Sequence, residues 1–196
     1  MTHDGARSGR PRDPGRDAAI LTATLDLLGE VGYEQLTVRA IAQRAGAGLA
    51  TIYRRWPTKE DLVVDAVASA PDMPAPGDLD RDPAENLQNL VSSLVEALQG
   101  PRRALMPTLV GQLPHNPELA EILRTRIVLP RLAAVTEQLA AVPGVRPERV
   151  REAAELIPAS LFFQSLVLGR RLGRAAVRRA IAEAIAAARR PGAERP

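Results

Sequence analysis

The spacing of apolar residues constrains the fold of this chain more than any other feature of its 196 residues. From Asp17 onward, alanine and leucine recur three and four residues apart, and β-branched residues occur singly. No segment shows the alternation that is typical of a β-strand. Glycine and proline interrupt the pattern where helices would end. The sequence therefore predicts an all-α fold of about nine helices.

Capping residues and helix breakers predict the ends of these helices. Gly32 and Gly46 are expected to stop the first two helices, and Thr58 is expected to cap the fourth. Pro130 and Pro158 fall inside longer segments and should kink or split them, because proline lacks an amide donor. The predicted ranges are 17–31, 37–45, 49–56, 58–69, 83–99, 103–113, 117–141, 147–171 and 174–190.

The composition argues against several classes of protein. Cysteine is absent and only two histidines occur, which excludes disulfides and thiolate metal sites and leaves little for a catalytic triad. We expect no metal, no cofactor and no enzymatic activity. The longest uncharged stretches, 104–117 and 156–169, are too short to span a membrane. No signal peptide is evident at the N-terminus, so a cytoplasmic protein is expected.

Charge divides the chain into regions despite a net charge of only +3. Of the 26 cationic residues, 25 are arginine, and Lys59 is the single lysine. Residues 1–16 are rich in glycine, proline and arginine and predict a disordered basic arm. An acidic linker over 71–82 separates a domain at 17–70 from a second domain at 71–196. Flexible basic arms enter the minor groove of DNA or raise non-specific affinity, and a solvated tail is an equal alternative.

Residues 36–62 predict a helix, a tight glycine turn and a second short helix. Two helices of this size cannot bury their own apolar faces, so neighbouring helices must complete a helix-turn-helix domain. The second helix also offers a hydroxyl, a phenol and two guanidinium groups at Thr51, Tyr53, Arg54 and Arg55. These groups suit phosphate oxygens or guanine edges. A solvated polar helix face is the alternative interpretation.

Residues 17–62 resemble the N-terminal domain of the TetR/AcrR family of transcriptional regulators. The resemblance covers about 45 residues, and the rest of the chain is similar only in length and helical character. Trp56 and Thr58 stand where the family commonly has phenylalanine and serine or asparagine. The residues that carry the resemblance are Gly32-Tyr33, Leu36-Thr37-Val38-Arg39, Ile41-Ala42, Ala45-Gly46, Thr51-Ile52-Tyr53 and Trp56-Pro57-Thr58-Lys59-Glu60-Asp61-Leu62.

The resemblance implies contacts with double-stranded operator DNA. Gly48 departs from the polar residue often found at the start of the second helix, and Leu49 could equally belong to the core. Thr37, Thr51, Tyr53 and Lys59 would hold phosphates, Arg39 would reach a base edge or the backbone, and Leu49, Ala50, Arg54 and Arg55 would face the major groove.

The resemblance also implies a helical second domain that binds an unknown small-molecule effector and forms a homodimer. The dimer would use the helices near 147–171 and 174–190, where alanines at 180, 184 and 188 would let a partner helix approach closely. Packing within one chain is the alternative. Candidate cavity residues are Met106, Leu109, Leu113, Phe162 and Phe163, with Gln112, Arg126 and Gln164 as polar anchors.

The predicted function is therefore a ligand-responsive, homodimeric repressor that a small molecule releases from its operator. A ligand-independent regulator or an activator is one alternative. A peripheral membrane or partner-binding protein that uses the arginine-rich C-terminal helix is another, and a small helical enzyme is the third.

Overall fold

The computed structural model describes residues 14–70, 82–100 and 103–190. In these ranges the helices are α1 (Pro14–Gln35), α2 (Val38–Ala45), α3 (Leu49–Tyr53), α4 (Lys59–Ala68), α5 (Pro83–Gln99), α6 (Leu105–Gln112), α7 (Pro117–Leu123), α8 (Leu129–Ala140), α9 (Pro147–Phe162) and α10 (Arg174–Arg189). A π-helical turn at Arg124–Val128 joins α7 to α8, and another at Phe163–Val167 extends α9. With α7 and α8 counted as one continuous helix, these ranges hold nine helices and no strand, which confirms the all-α prediction.

Two predicted segments fall mainly where the structure is not described. The predicted arm overlaps residues 1–13, and most of the predicted linker overlaps 71–81; both lie outside the described residues. The end of the arm differs from the prediction, because α1 begins at Pro14, three residues before the predicted start. Proline suits the first helical position, since its missing amide would have no partner there.

Local capping chemistry sets the ends of the short N-terminal helices. The Thr37 hydroxyl accepts from the Ala40 amide at 3.1 Å, and the Thr58 hydroxyl accepts from the Asp61 amide at 3.0 Å. Gly46 ends α2 with a φ of 60°, a conformation that glycine adopts without strain. Gly32 has a φ of 76° and breaks the helical path of α1, but α1 resumes as far as Gln35. The predicted stop at Gly32 is therefore a kink.

Helices α1 to α4 enclose the apolar core of the first domain. Ile20 and Leu28 of α1 are fully buried together with Ile41 of α2, Ile52 of α3 and Leu62 of α4. Burying a side chain of this size contributes ~1.5–3 kcal/mol. The five-residue helix α3 is thus held in place by its neighbours through Ile52, because a helix of this length is unstable alone.

The remaining helices form a bundle whose two ends are marked by hydrogen bonds. At one end, the Gln99 side chain donates to the Ser165 hydroxyl at 2.9 Å, which joins the end of α5 to the end of α9. At the other end, the Arg146 amide donates to the Ala188 carbonyl at 2.9 Å, which joins the start of α9 to the end of α10. Helices α9 and α10 therefore run antiparallel.

The two π turns change the expected course of the long helices. Pro130 follows the first π turn, and its ring would crowd the carbonyl of Arg126 in a regular α-helix. The wider π turn lies at this point of crowding. Pro158 lies inside α9 without splitting it, and the helix ends at Val167 rather than at the predicted residue 171.

Within the described ranges, no helix combines the length and hydrophobicity needed to cross a bilayer. The same residues contain no group of three or more potential metal ligands.

Candidate nucleic-acid interface and internal cavity

The outer face of α3 presents four side chains to solvent. Leu49 is 41% exposed and Tyr53 is 50% exposed, and Ala50 and Arg54 are also exposed. The opposite face of α3 carries Ile52 into the core. Leu49 therefore lies on the outer surface. Its spacing had also allowed a position in the core, which the structure does not show.

Arg55 does not share this outer face. Helix α3 ends at Tyr53, so the following turn carries Arg55 toward α1, where its guanidinium forms an ion pair with Asp17. The Arg55 side chain is only 18% exposed. Arg55 therefore lies against α1 and not on the exposed face that its predicted contact with the major groove requires.

Helix α2 contributes a second exposed row beside α3. Thr37 and Arg39 are exposed, as the predicted contacts require, and Thr51 of α3 is half-buried. Gln43 is also exposed and lies one helical turn after Arg39. Sequence reasoning missed Gln43, although its spacing from Arg39 placed it on the same face.

The Lys59 ammonium folds back onto the end of α1. Its Nζ atom donates to the Tyr33 carbonyl at 3.1 Å and to the Leu36 carbonyl at 3.4 Å. It also lies 4.0 Å from the centre of the Tyr33 ring, a favourable position for a cation. An ammonium has three donors. Two of the three donors thus tie α4 to the end of α1.

A polar cluster joins the first domain to the second. The Tyr33 hydroxyl donates to Glu60, and the Asn116 amide donates to the Tyr33 hydroxyl oxygen at 3.1 Å and to Glu60 at 2.9 Å. Burial opposes the charge on Glu60, but the hydrogen bonds from Tyr33 and Asn116 hold its pKa below the ordinary value. Burial is the main cause that raises the pKa of Tyr33, and the hydrogen bond to Glu60 raises it further. Tyr33 is therefore a neutral donor and Glu60 an ionised acceptor.

Arg126 forms a second connection between the domains. Its guanidinium lies 2.6 Å from Asp61 and 3.1 Å from Asp65, two carboxylates one turn apart on α4. Asp65 also accepts from the Trp56 indole at 2.9 Å. The first π turn, α4 and the segment after α3 are thus linked through one carboxylate.

An apolar cavity of about 380 Å³ lies inside the second domain. Helices α5, α8 and α9 supply most of its wall, and Arg131 and Glu155 are the charged side chains that line it. Burial lowers the pKa of Arg131. The lining residues are Leu90, Val91, Ser93, Leu94, Ala97, Met106, Ile127, Val128, Arg131, Leu132, Val135, Ala154, Glu155, Ile157, Pro158, Ala159 and Phe162.

Only Met106 and Phe162 of the eight candidate ligand residues line this cavity. Leu109 is completely buried in the core, and Leu113 packs against the core elsewhere. Phe163 is 54% exposed. Leu109, Leu113 and Phe163 therefore do not line this cavity, because the face of a helix that turns inward depends on the packing of its neighbours.

The three predicted polar anchors also lie elsewhere. Gln112 lies 3.4 Å from Glu34 of α1, and Gln164 donates to the Ser160 carbonyl at 3.3 Å. Arg126 is occupied by the carboxylates of α4. Arg131 and Glu155 were missed, although Arg131 is a single cation between the apolar segments 127–130 and 132–135, a signal that the sequence carries.

Part of the exposed apolar surface of the second domain lies on α9 and its π turn, and Val110, Val128 and Leu129 are exposed on α6 and around the first π turn. Leu156, Phe163, Val167 and Leu168 are exposed. The alanines of α10 at 180, 184 and 188, expected to meet a partner helix, are buried within this chain. They instead allow α10 to pack closely on its own α9.

Comparison with known proteins adds a family assignment to this geometry. Residues 20–66 match the model of bacterial regulatory proteins of the tetR family, and residues 74–184 match the C-terminal domain of tetracyclin repressor-like proteins. The HTH-type transcriptional regulator YdeS of Bacillus subtilis is 32% identical over 175 residues, which are 84% of this chain and 85% of that protein.

A second relative and a solved structure extend the similarity over most of the chain. The DNA-binding transcriptional repressor TetR of Mycobacteroides abscessus is 26% identical over 188 residues, 91% of this chain and 96% of that protein. The crystal structure of the multidrug binding protein EbrR with imidazole superposes with a TM-score of 0.61 at 21% identity. It covers 94% of this chain and 97% of that chain, and it shows a common fold.

Proposed function

Because this chain belongs to the TetR family of bacterial transcriptional regulators, we propose that it represses transcription as a homodimer and leaves its operator when an apolar small molecule enters the cavity. Residues 17–70 would bind DNA, and residues 71–196 would bind the effector and the second subunit. Such a repressor would catalyse no reaction, and it would act in the cytoplasm, where its operator DNA lies.

The exposed outer face of α3 is the observation that carries the DNA-binding proposal. Leu49, Ala50 and Tyr53 of α3 are exposed together with Arg54, which directly follows the helix, and a helix with such an exposed face fits the major groove. Arg54 replaces the pair of arginines expected from the sequence as the main candidate for guanine recognition, since a guanidinium bonds guanine O6 and N7 together.

Contacts from α2 and α4 would position α3 on the duplex. Thr37 and Thr51 would bond phosphates, and Arg39 would reach a base edge or the backbone. The remaining donor of Lys59 would meet a phosphate at the start of α4, where the helix dipole favours an anion. We add Gln43 to this set because it is exposed beside Arg39.

The exposed apolar residues of α9 support a two-fold dimer. Phe163 and Val167 would be buried against their counterparts in a second chain, which would remove the exposed apolar surface from water. A two-fold dimer also presents two copies of α3, as a palindromic operator requires.

The cavity supports an effector that is mainly apolar, with a polar group near Arg131 or Glu155. Its wall includes Ile127 and Val128, which belong to the same π turn as Arg126. An effector that moves this turn would therefore move α4 through Asp61 and Asp65. It would shift the equilibrium toward the DNA-incompetent state by its difference in affinity for the two states.

Selection of genomic DNA fragments by the purified protein tests the proposal. We expect enrichment of palindromic sites whose half-sites lie about one helical turn apart, and loss of base preference at one position in Arg54→Ala. Absence of enrichment by the wild-type protein would refute DNA binding. Titration of apolar compounds into the operator complex then separates a ligand-released repressor from a ligand-independent regulator, and a reporter gene separates repression from activation.

A further inference from the structure

The loop before α10 and the first turns of α10 form an exposed basic patch, which consists of Arg170, Arg171, Arg174 and Arg178. All four side chains are exposed. The sequence contains no carboxylate between Glu155 and Glu183. The patch therefore concentrates positive charge in nine residues of a chain whose net charge is only +3.

The charge of this basic patch is not compensated within the described part of the chain. No carboxylate there forms an ion pair with any of the four arginines, whereas Arg124 pairs with Glu121 on its own helix. Arg174 also occupies the first position of α10, whose cap, Gly173, offers no side-chain acceptor. Cations repel one another and the positive end of a helix dipole. An external anion would relieve both repulsions.

The basic patch lies at the end of the second domain that adjoins the helix-turn-helix domain. The Arg170 amide donates to the Gln164 carbonyl at 2.8 Å, and the neighbouring Ser165 accepts from Gln99 at the end of α5. The chain continues from there into α6, which packs on α1 and reaches Glu34 through Gln112. The opposite end of α10 is bonded to Arg146, at the distal end of the bundle.

We propose that this basic patch is a second DNA-binding surface, which contacts the phosphate backbone of the duplex held by α3. The inference rests on the proposed function, because it requires that the helix-turn-helix domain binds DNA. Duplex DNA is the polyanion expected on this side of the molecule. In a dimer formed through α9, the two patches would lie near the two-fold axis and contact the DNA between the half-sites. Phosphate contacts of this kind strengthen binding without reading sequence.

Charge removal at the two ends of the second domain tests the inference. The patch variant carries Arg170→Gln, Arg171→Gln, Arg174→Gln and Arg178→Gln. The control variant carries Arg146→Gln, Arg151→Gln, Arg189→Gln and Arg190→Gln, which remove the same charge from the distal end. A third variant, with only Arg170→Gln and Arg171→Gln, leaves α10 intact and gives a graded effect if the patch variant does not fold.

Affinity for a selected genomic duplex and for a scrambled duplex is measured by fluorescence anisotropy at several salt concentrations. For the patch variant we expect at least a roughly tenfold loss of affinity for both duplexes and a salt slope that is shallower by about 0.9 for each phosphate that the patch no longer neutralises. The control variant should keep the wild-type slope. The ratio of the two affinities should stay unchanged, because the patch reads no bases.

The possible outcomes separate this inference from the proposed function. If the wild-type protein binds no duplex, both the proposed function and the inference about the basic patch are overturned. If the wild-type protein binds DNA and the patch variant binds it with the same affinity, only the inference about the basic patch is overturned. Equal losses in the patch and control variants also overturn it, since they would reflect net charge alone. Unchanged DNA affinity together with patch-dependent binding to phosphatidylglycerol vesicles would assign the surface to a membrane instead.

Discussion

Replacement of Arg126 by alanine should loosen the connection between the two domains. The guanidinium bridges Asp61 and Asp65 of α4 at 2.6 and 3.1 Å. In Arg126→Ala, both carboxylates lose this partner but keep their bonds to the Thr58 hydroxyl and the Trp56 indole. The first domain should therefore remain folded while its link to the π turn is lost.

The expected magnitude follows from the exposure of the three side chains. Arg126 and Asp65 are nearly half exposed, and Asp61 is only 13% exposed. Partly exposed ion pairs contribute ~0.2–1 kcal/mol each, so the two pairs together should contribute about 1 kcal/mol, mostly through Asp61. For a chain of this length, that loss lowers the melting temperature by ~2–4 °C.

Arg124→Ala is the matched control, since Arg124 lies in the same π turn and its side chain bonds only Glu121 among the described residues. Both of those side chains are more than half exposed, so the control should melt within about 1 °C of the wild-type protein. Thermal unfolding by circular dichroism at low salt and at about 1 M salt makes the comparison. High salt should shrink the difference between Arg126→Ala and wild type, because the Debye length falls to about 3 Å.

Equal melting temperatures for the two variants at low salt would refute this reasoning. A difference that persists unchanged at high salt would also contradict it, because the loss would then not be electrostatic. With an effector in hand, Arg126→Ala should further reduce the coupling between effector and operator binding by ~0.5–2 kcal/mol.

Five further variants test single positions. Arg54→Ala should relax base preference by ~1–3 kcal/mol at one position in a binding-site selection. Arg55→Ala should leave the base preference intact and lower the melting temperature, because the Asp17 carboxylate of α1 loses its partner. Lys59→Ala should weaken binding to all duplexes about equally and flatten the salt slope by about 0.9 per phosphate contact in anisotropy titrations, and it should also destabilise the fold because two carbonyls lose their donor. Ala154→Leu should fill part of the cavity and reduce the binding of an apolar fluorescent probe without changing DNA affinity. The hydrogen bonds from Tyr33 and Asn116 hold the pKa of Glu60 below its ordinary value, so its charge stabilises the fold above that value and loses this effect as the pH falls through the folded pKa. In urea titrations, the advantage of wild type over Glu60→Gln should therefore shrink as the pH is lowered into the acid range.

The helix-turn-helix region was predictable because short-range chemistry determines it. Thr37 and Thr58 bond amides three residues away, and Gly46 supplies the left-handed turn between α2 and α3. Each of these contacts is encoded within one or two turns of helix. The same local periodicity predicted which face of α3 is buried and which is exposed. Arg55 is the exception, because α3 ends at Tyr53 and the next turn places Arg55 against α1.

The cavity was not predictable residue by residue because its wall depends on packing between distant segments. A π turn adds one residue to a helical turn, and each residue rotates the helix by about 100°. Phe163 lies about 100° around the helix from Phe162, so only Phe162 lies on the face that lines the cavity, and the π turn then shifts the residues that follow Phe163. Arg126 was expected inside the cavity, but its partners on α4 are more than sixty residues earlier in the sequence.

The position of Lys59 also allows the start of α4 to be probed chemically through one side-chain amine. Lys59 is the only lysine in the chain, and cysteine is absent. An amine-selective acylating reagent can therefore modify only Lys59 and the N-terminal amine. The extent of acylation at Lys59, read by mass spectrometry, would report the occupancy of the start of α4 in the unmodified protein, without an engineered label.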